Sequence, residues 1–301
     1  MCKVFAVAKV TDTNRDDVWA FAQLMGELMT WGNSDGLGYA AFDKDGKIFG
    51  EKWLINQTAF KDLTAIKGIN ANKIDKIYNY FGDTVKRDEA QAIIMHTRAA
   101  TCGKGIINTH PFVNDIDNPT VAIIHNGMIY NDSKFEKKYS TCDSEVIAHL
   151  YHDNKVNENL TNLNEFSTKM QGWYTVLALT KDAEGKMIMD AFSDTGRLGS
   201  YFIKELDTRI YSTMAEDVFK VAKTLGLTPV DFQKMNADEA IRIDVASGEQ
   251  TGHLKFKSSP AVSQSSYWEG WENVVALEGN LDDEEFRNRW FGMGIRGHHH
   301  D

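Results

Sequence analysis

Cysteine is scarce in this 301-residue chain, with Cys2, Cys102 and Cys142 the only three. An odd, sparse count in a long chain excludes a disulfide framework and points to a reducing, cytoplasmic setting. Long hydrophobic runs are missing as well. No stretch approaches the roughly 18 apolar residues of a membrane-spanning helix. The N-terminal apolar run Lys3–Val10 is broken by Lys9 and has no small-residue cleavage pattern, so it reads as a strand and not as a signal peptide. Positive charge is in deficit: 33 Lys and Arg face 43 Asp and Glu, a formal net charge of −10. That balance provides no electrostatic footprint for direct binding of nucleic acid or of an anionic membrane. Internal repeats and low-complexity tracts are absent too.

What is present is an ordinary globular composition, 42% hydrophobic and 25% charged, enough for one large domain or two small ones. Asp16 to Met29 has apolar residues at Phe21, Leu24, Met25, Leu28 and Met29, the spacing of a helix. Gly32 to Gly38 reads as a turn feeding a strand from Tyr39 to Phe42. Asp43-Lys44-Asp45-Gly46-Lys47 then reads as a hairpin turn into Ile48 to Trp53. A helix is expected from about Asp62 to Tyr80, and short buried strands at Ile93–Met95 and Val121–Ile124. Ser144 to His152 reads as a helix. The strand-rich stretch beyond it covers Trp173–Thr180, Lys186–Phe192, Gly199–Ile203, Arg209–Ser212, Ala240–Val245 and His253–Lys257, with a helix at Ala215–Leu225. Many strands with few helices, and no βαβ alternation, indicate α+β layers.

Two regions follow from this pass: a domain over residues 1–257 and a tail over 258–301. The tail begins Ser258-Ser259-Pro260 and is rich in aromatics, including Tyr267, Trp268, Trp271 and Trp290. A short helix is expected within it, with Asn280 as N-cap and Gly292 as its end. His298 to His300 are assigned no role.

The chemistry-bearing residues are few. Loss of Met1 would leave Cys2 with a thiol and a free α-amine on one residue, and an α-amine of pKa about 7.7–8.0 can activate that thiol. His96-Thr97-Arg98 ends a strand, and an arginine there offers a fork for a carboxylate. Asn126-Gly127, after an apolar strand, has two readings: a hairpin turn, or an amide and an unhindered N–H that together form an oxyanion hole. Asp143, just before a helix, is either an N-cap or an anchor for an ammonium group. A metal site built from His96, His110, His125, Cys102 and Asp143 is disfavoured, since their spacing contains no Cys-x-x-Cys pair and no His-Glu-x-x-His helix.

Taken in order, Met1-Cys2, Asn33-Ser34-Asp35-Gly36-Leu37-Gly38, His96-Thr97-Arg98, Asn108-Thr109-His110-Pro111-Phe112, His125-Asn126-Gly127 and Asp143-Ser144-Glu145 resemble the class II glutamine amidotransferases, in particular their compact unfused kind. The resemblance is detailed over the first half of the chain and looser to Lys257. It implies a four-layer αββα sandwich of the N-terminal-nucleophile hydrolase type. It implies that Cys2 attacks the side-chain amide of L-glutamine, with Asn126 and Gly127 stabilising the oxyanion. Arg98 would hold the α-carboxylate, assisted by Thr101, and Asp143 the α-ammonium. No metal or other cofactor is expected. Ala99, Cys102 and Trp31-Gly32 depart from the family pattern and bear on the shape of the glutamine pocket. Only 44 residues follow residue 257, fewer than a typical domain needs, so the ammonia-accepting synthetase is expected as a separate partner. An alternative keeps the fold and cleaves a γ-glutamyl or related amide without ammonia transfer.

Overall fold

A computed structural model describes residues 2–30, 33, 35–55, 74–79, 87–100, 103 and 105–259. Two antiparallel sheets stack face to face. The first has eight strands in the order β12-β10-β11-β1-β5-β2-β3-β4. These are β1 (Lys3–Val7), β2 (Gly36–Phe42), β3 (Ile48–Ile55), β4 (Ile74–Asn79), β5 (Ala92–Arg98), β10 (Gly199–Ile203), β11 (Thr208–Ser212) and β12 (Pro229–Lys234). The second has six in the order β14-β13-β9-β8-β7-β6. Its strands are β6 (Phe112–Val113), β7 (Val121–Ile129), β8 (Gly172–Lys181), β9 (Met187–Ser193), β13 (Glu239–Asp244) and β14 (Gln250–Lys255). Helices α1 (Arg15–Thr30) and α4 (Ala215–Thr224) cover the outer face of the first sheet. Helices α2 (Ser144–Asp153) and α3 (Leu163–Lys169) cover the second, and β7 crosses β1 and β5 where the sheets meet. The result is the expected αββα sandwich.

Pattern explains most of the layers. On α1, Val18, Phe21, Ala22, Met25 and Met29 are buried at helical spacing, and Asp16 and Asp17 occupy the positive end of its dipole. β1, β5 and the first part of β7 are buried on both faces, which is why they read as continuous apolar runs and not as alternation. Helix α2 is set on its sheet by an apolar cluster that includes Ile147, Tyr151, Phe166 and Phe192. It is further fixed by a buried polar network. Arg242 donates to Asp190 through Nε at 2.8 Å and Nη2 at 2.7 Å, and the Tyr151 hydroxyl donates to the same carboxylate. No helix among the described residues is long and apolar enough to cross a membrane.

Several expectations change. Gly36 and Gly38 are not turn residues but the start of β2. The loop through residues 109 and 110 crosses so close that a Cβ at Gly36 would lie 2.5 Å from Thr109 Oγ1, and one at Gly38 2.1 Å from His110 O. The helix expected to reach Tyr80 is contradicted over Ile74–Asn79, which pair as an edge strand with β3 because cross-strand pairing overrides local helical spacing. The rest of that span lies outside the described residues. β7 runs five residues beyond Ile124, so Asn126-Gly127 is not a hairpin turn: these residues pair within the ladder with Thr175 and Tyr174. The first strand stops at Val7, before Lys9. Helix α3 and strand β12 were not anticipated. Apart from Ser258 and Ser259, the expected tail lies outside the described residues.

Candidate active site

The site is built at the ends of β1, β5 and β7 and the start of α2. Cys2 stands one residue before β1. The register Lys3↔Thr97 brings it alongside the end of β5, and its Sγ lies 3.6 Å from the carbonyl oxygen of Ala99. Burial pushes the thiol pKa up; the Ala99 contact and the Arg98 charge work the other way, and the Asp143 charge adds to the rise. The charges of Arg98 and Asp143 thus both reach the Cys2 thiol.

Arg98 is the last residue of β5 and is buried. Its Nη2 donates to the carbonyl of Gly103 at 2.7 Å. Asp35 braces the backbone on either side, its own N–H donating to Arg98 O at 3.1 Å and its Oδ2 accepting from Ala100 N at 2.7 Å. Asp143 comes from the other sheet. Although it directly precedes α2, its side chain makes no capping hydrogen bond. Instead Oδ2 accepts from Ile129 N at 2.7 Å, at the end of β7, while Oδ1 lies 3.3 Å from Ser144 Oγ. That geometry disposes of the N-cap reading: the carboxylate is turned back from its helix toward the end of β7.

Asn126 and Gly127 lie in β7. The side chain of Asn126 is buried, and its Oδ1 has no hydrogen-bond partner among the described residues. Gly127 admits no side chain, since a Cβ would lie 2.1 Å from Trp173 O and 2.3 Å from His125 Nε2. Thr101 and Cys102 lie outside the described residues.

Three histidines of the motifs form a buried layer. His96 Nε2 donates to His125 O at 3.1 Å, and the His96 and His110 ring centroids are 3.7 Å apart. Burial first, then mutual repulsion, holds His96 and His110 well below the ordinary imidazole range; burial also lowers His125, whose Nδ1 lies 2.9 Å from Ser144 Oγ. They are neutral side chains. Among the described residues no group of three or more His, Cys, Asp and Glu is placed to hold a metal ion.

Supporting residues were not assigned from the sequence. Glu145, fully buried in the first turn of α2, accepts from the backbone N–H groups of Lys138, Tyr139 and Ser140 at 2.6, 2.9 and 2.6 Å. Although burial opposes ionisation, these bonds and the one from His149 hold its pKa down to about 2. The buried Lys52, its Nζ 4.7 Å from the centre of the Phe112 ring, is pushed well below the ordinary lysine range, chiefly by burial. An acid in a helix first turn and a lysine in a strand carry no signal of such burial.

No family model matches the chain. Amidophosphoribosyltransferase of Staphylococcus epidermidis (strain ATCC 35984) is 35% identical over 195 residues, 55% of this chain and 40% of that protein. The same enzyme of Staphylococcus aureus (strain Mu50) is 32% identical over 126 residues, 39% of this chain and 24% of that protein. Glutamine–fructose-6-phosphate aminotransferase (isomerizing) of Methanosarcina mazei is 31% identical over 135 residues, 38% of this chain and 22% of that protein. The chain thus spans about a quarter to two fifths of the length of these relatives. Among solved structures, the allosteric regulatory enzyme of purine biosynthesis superposes over 86% of this chain and 50% of its own, with a TM-score of 0.59 at 17% identity. Glutamine phosphoribosylpyrophosphate amidotransferase from B. subtilis, complexed with ADP and GMP, gives a TM-score of 0.57, also at 17% identity. These structural likenesses show that the chain shares the sandwich fold of those two enzymes.

Proposed function

We propose that this chain, a homologue of the class II glutamine amidotransferases, hydrolyses the side-chain amide of L-glutamine at Cys2 and delivers the ammonia to a separate acceptor enzyme in the cytoplasm. The observation that carries the reading is the position of the Cys2 thiol at the end of β5, its Sγ 3.6 Å from the carbonyl of Ala99, the residue after Arg98. Cys2, Arg98 and Asp143 are far apart in sequence, yet both charges act on the same sulfur. A glutamine zwitterion needs one partner of each sign at its α-carbon and a nucleophile at its far end.

The chemistry follows from these roles. Removal of Met1 frees the α-amine of Cys2. That amine takes the thiol proton, which matters because burial keeps the thiol from ionising unaided. Sγ attacks the amide carbon. The Asn126 side-chain N–H and the Gly127 backbone N–H donate to the oxyanion, and the amine's proton goes to the departing nitrogen as the C–N bond breaks. Water then attacks the glutamyl thioester, glutamate leaves and the thiol returns. Arg98 grips the α-carboxylate, Asp143 the α-ammonium, and Thr101 assists near the carboxylate. Ammonia set free in neutral water is mostly protonated and lost as a nucleophile, so docking to its consumer conserves it. The aromatic segment Tyr267 to Phe291 is the proposed contact, since Trp and Tyr are favoured interface anchors.

The test is ammonia release from L-glutamine by N-terminally sequenced protein, beside Cys2→Ala. Turnover by protein that begins at Cys2, a Cys2 thioester on acid quench and no turnover by the variant are expected. Full activity in protein that keeps Met1 would sink the mechanism. Cleavage of a γ-glutamyl amide but not of glutamine would sink the substrate assignment.

A further inference from the structure

The two charges assigned to the glutamine head are tied to each other through the protein. From Arg98, the guanidinium donates to the carbonyl of Gly103 at 2.7 Å. Gly103 has φ +57, a conformation that favours glycine. A Cβ there would stand 2.4 Å from Thr141 Oγ1 and 2.5 Å from Asn108 Nδ2, so this backbone is wedged against both side chains. Asn108 is buried, and its Oδ1 accepts twice from Thr141, from the backbone N–H at 2.9 Å and from Oγ1 at 3.1 Å. Thr141 stands two residues before Asp143. On the other side of Thr141, residues 138–140 are clamped by the Glu145 carboxylate. The segment leading to Asp143 is thus held at two points, and one of them reaches back to Arg98.

We infer that Asn108 is a positioning residue that fixes the spacing between Arg98 and Asp143, and so selects amides carrying a complete α-amino acid head. The inference rests on the glutaminase reading above. A substrate anchored at both charges depends on their separation; one anchored at a single charge does not. Asn108 touches neither the reacting carbon nor the nucleophile. Its loss therefore acts on binding and discrimination, not on the chemical step.

Steady-state kinetics on the full chain test this with three amides: L-glutamine, glutaramate, which lacks the α-ammonium, and 4-aminobutanamide, which lacks the α-carboxylate. Asn108→Ala is expected to raise KM for L-glutamine by about tenfold or more with kcat within about threefold, the signature of a lost ground-state contact. The preference for L-glutamine over the two truncated amides should narrow by a similar factor. Gly103→Ala, which forces a Cβ into the same junction, should do likewise. Thr141 is exposed, so Thr141→Val removes its hydroxyl with little risk to folding. It should show a smaller shift of the same kind, and Thr141→Ser should restore the wild-type ratio. Folded Asn108→Ala and Thr141→Val proteins that keep the full preference for L-glutamine would overturn the inference while leaving the glutaminase reading standing. A wild-type enzyme with no glutamine turnover would overturn both.

Discussion

The two ends of the sandwich use their polar groups in opposite ways. At the far end, β2–β3 and β8–β9 close in matching turns. Asp43 Oδ1 accepts from Asp45 N at 3.0 Å and Lys47 N at 2.8 Å; Asp182 Oδ1 accepts from Glu184 N at 3.0 Å and Lys186 N at 2.8 Å. Each turn ends on a glycine at positive φ, Gly46 at +69° and Gly185 at +81°. Every partner lies within four residues, so the turn is encoded where it forms. At the candidate-site end several of the contacts are long-range. Cys2 meets Ala99, Arg98 meets Gly103, Asn108 meets Thr141, and Asp143 meets Ile129. Asn126 Oδ1, meanwhile, has no partner among the described residues. One end satisfies its polar groups to make a stable corner; the other holds some ready for a ligand. Substitutions at the two ends should accordingly separate activity from stability.

The largest effect is expected at β7. Gly127→Ala would drive a Cβ to 2.1 Å from Trp173 O on β8, and the β7–β8 ladder cannot yield that distance without moving the proposed oxyanion donors. Activity should fall below detection. Asn126→Ala, which leaves the backbone in place, should lower kcat by about 10²–10³, the usual effect of losing one oxyanion donor. Equal loss in kcat for the two would mean that Gly127 matters only as a neighbour of Asn126. Arg98→Ala ranks next: KM for glutamine should rise steeply while kcat changes less, because the contact is to the non-reacting end. A kcat-only loss there would place Arg98 at the reacting centre and break the assignment.

This division also explains what the sequence disclosed. The turn Asp43-Lys44-Asp45-Gly46-Lys47 was readable because donors, acceptor and glycine are neighbours. The candidate nucleophile, Arg98, Asn126, Gly127 and Asp143 were readable only as an ordered set, through a resemblance; each alone had a bland alternative. Two of those alternatives fail on geometry, since Asn126-Gly127 is ladder and Asp143 does not cap. Asn108, Gly103 and Glu145 were given no role because Asn108 meets Thr141 only through the fold, and neither a glycine in a loop nor an acid in a helix first turn announces its partner. The strand at Ile74–Asn79 was misread because its partner strand, not its own spacing, decides it.

A further effect falls between the two ends, in the histidine layer. His96, His110 and His125 have pKa values lowered in the folded protein, so below the ordinary imidazole value of about 6.5 the unfolded chain binds more protons. Their neutral burial costs nothing above that pH and is penalised increasingly as pH falls through it. Glu145, held near 2, contributes stability above the usual carboxylate value and loses it only as pH drops from there toward 2. The two windows are therefore distinct. Urea unfolding between pH 8 and pH 5 should show stability falling with acid. His110→Phe should flatten that slope, since neither ring nitrogen of His110 has a partner among the described residues and its ring packs against Phe112 at 4.7 Å. An unchanged slope would assign the acid sensitivity elsewhere.

The smallest effect is expected at the far end, and it is the sharpest control. Asp43→Ala and Asp182→Ala each delete a carboxylate that accepts two backbone N–H groups, with the same pair of distances within each turn. They differ in surroundings: Asp43 is 1% exposed, whereas Asp182 is half-buried among exposed neighbours. Removing a local side-chain acceptor of this kind costs about 0.5–2 kcal/mol. Asp182→Ala belongs at the lower part of that range, because water can reach the freed N–H groups, and Asp43→Ala at the upper part. Each kcal/mol should lower Tm by about 2–4 °C in a domain of this size. Neither variant should alter KM or kcat for glutamine, since on β2 the turn is a whole strand away from Gly36, the residue paired with Arg98. The double variant should sum unless the turns communicate, and they do touch: Lys181 Nζ donates to Asp45 O at 3.3 Å. A coupling above about 0.5 kcal/mol in that cycle would show the two corners acting as one unit. A change in glutamine kinetics would break the separation of the two ends altogether.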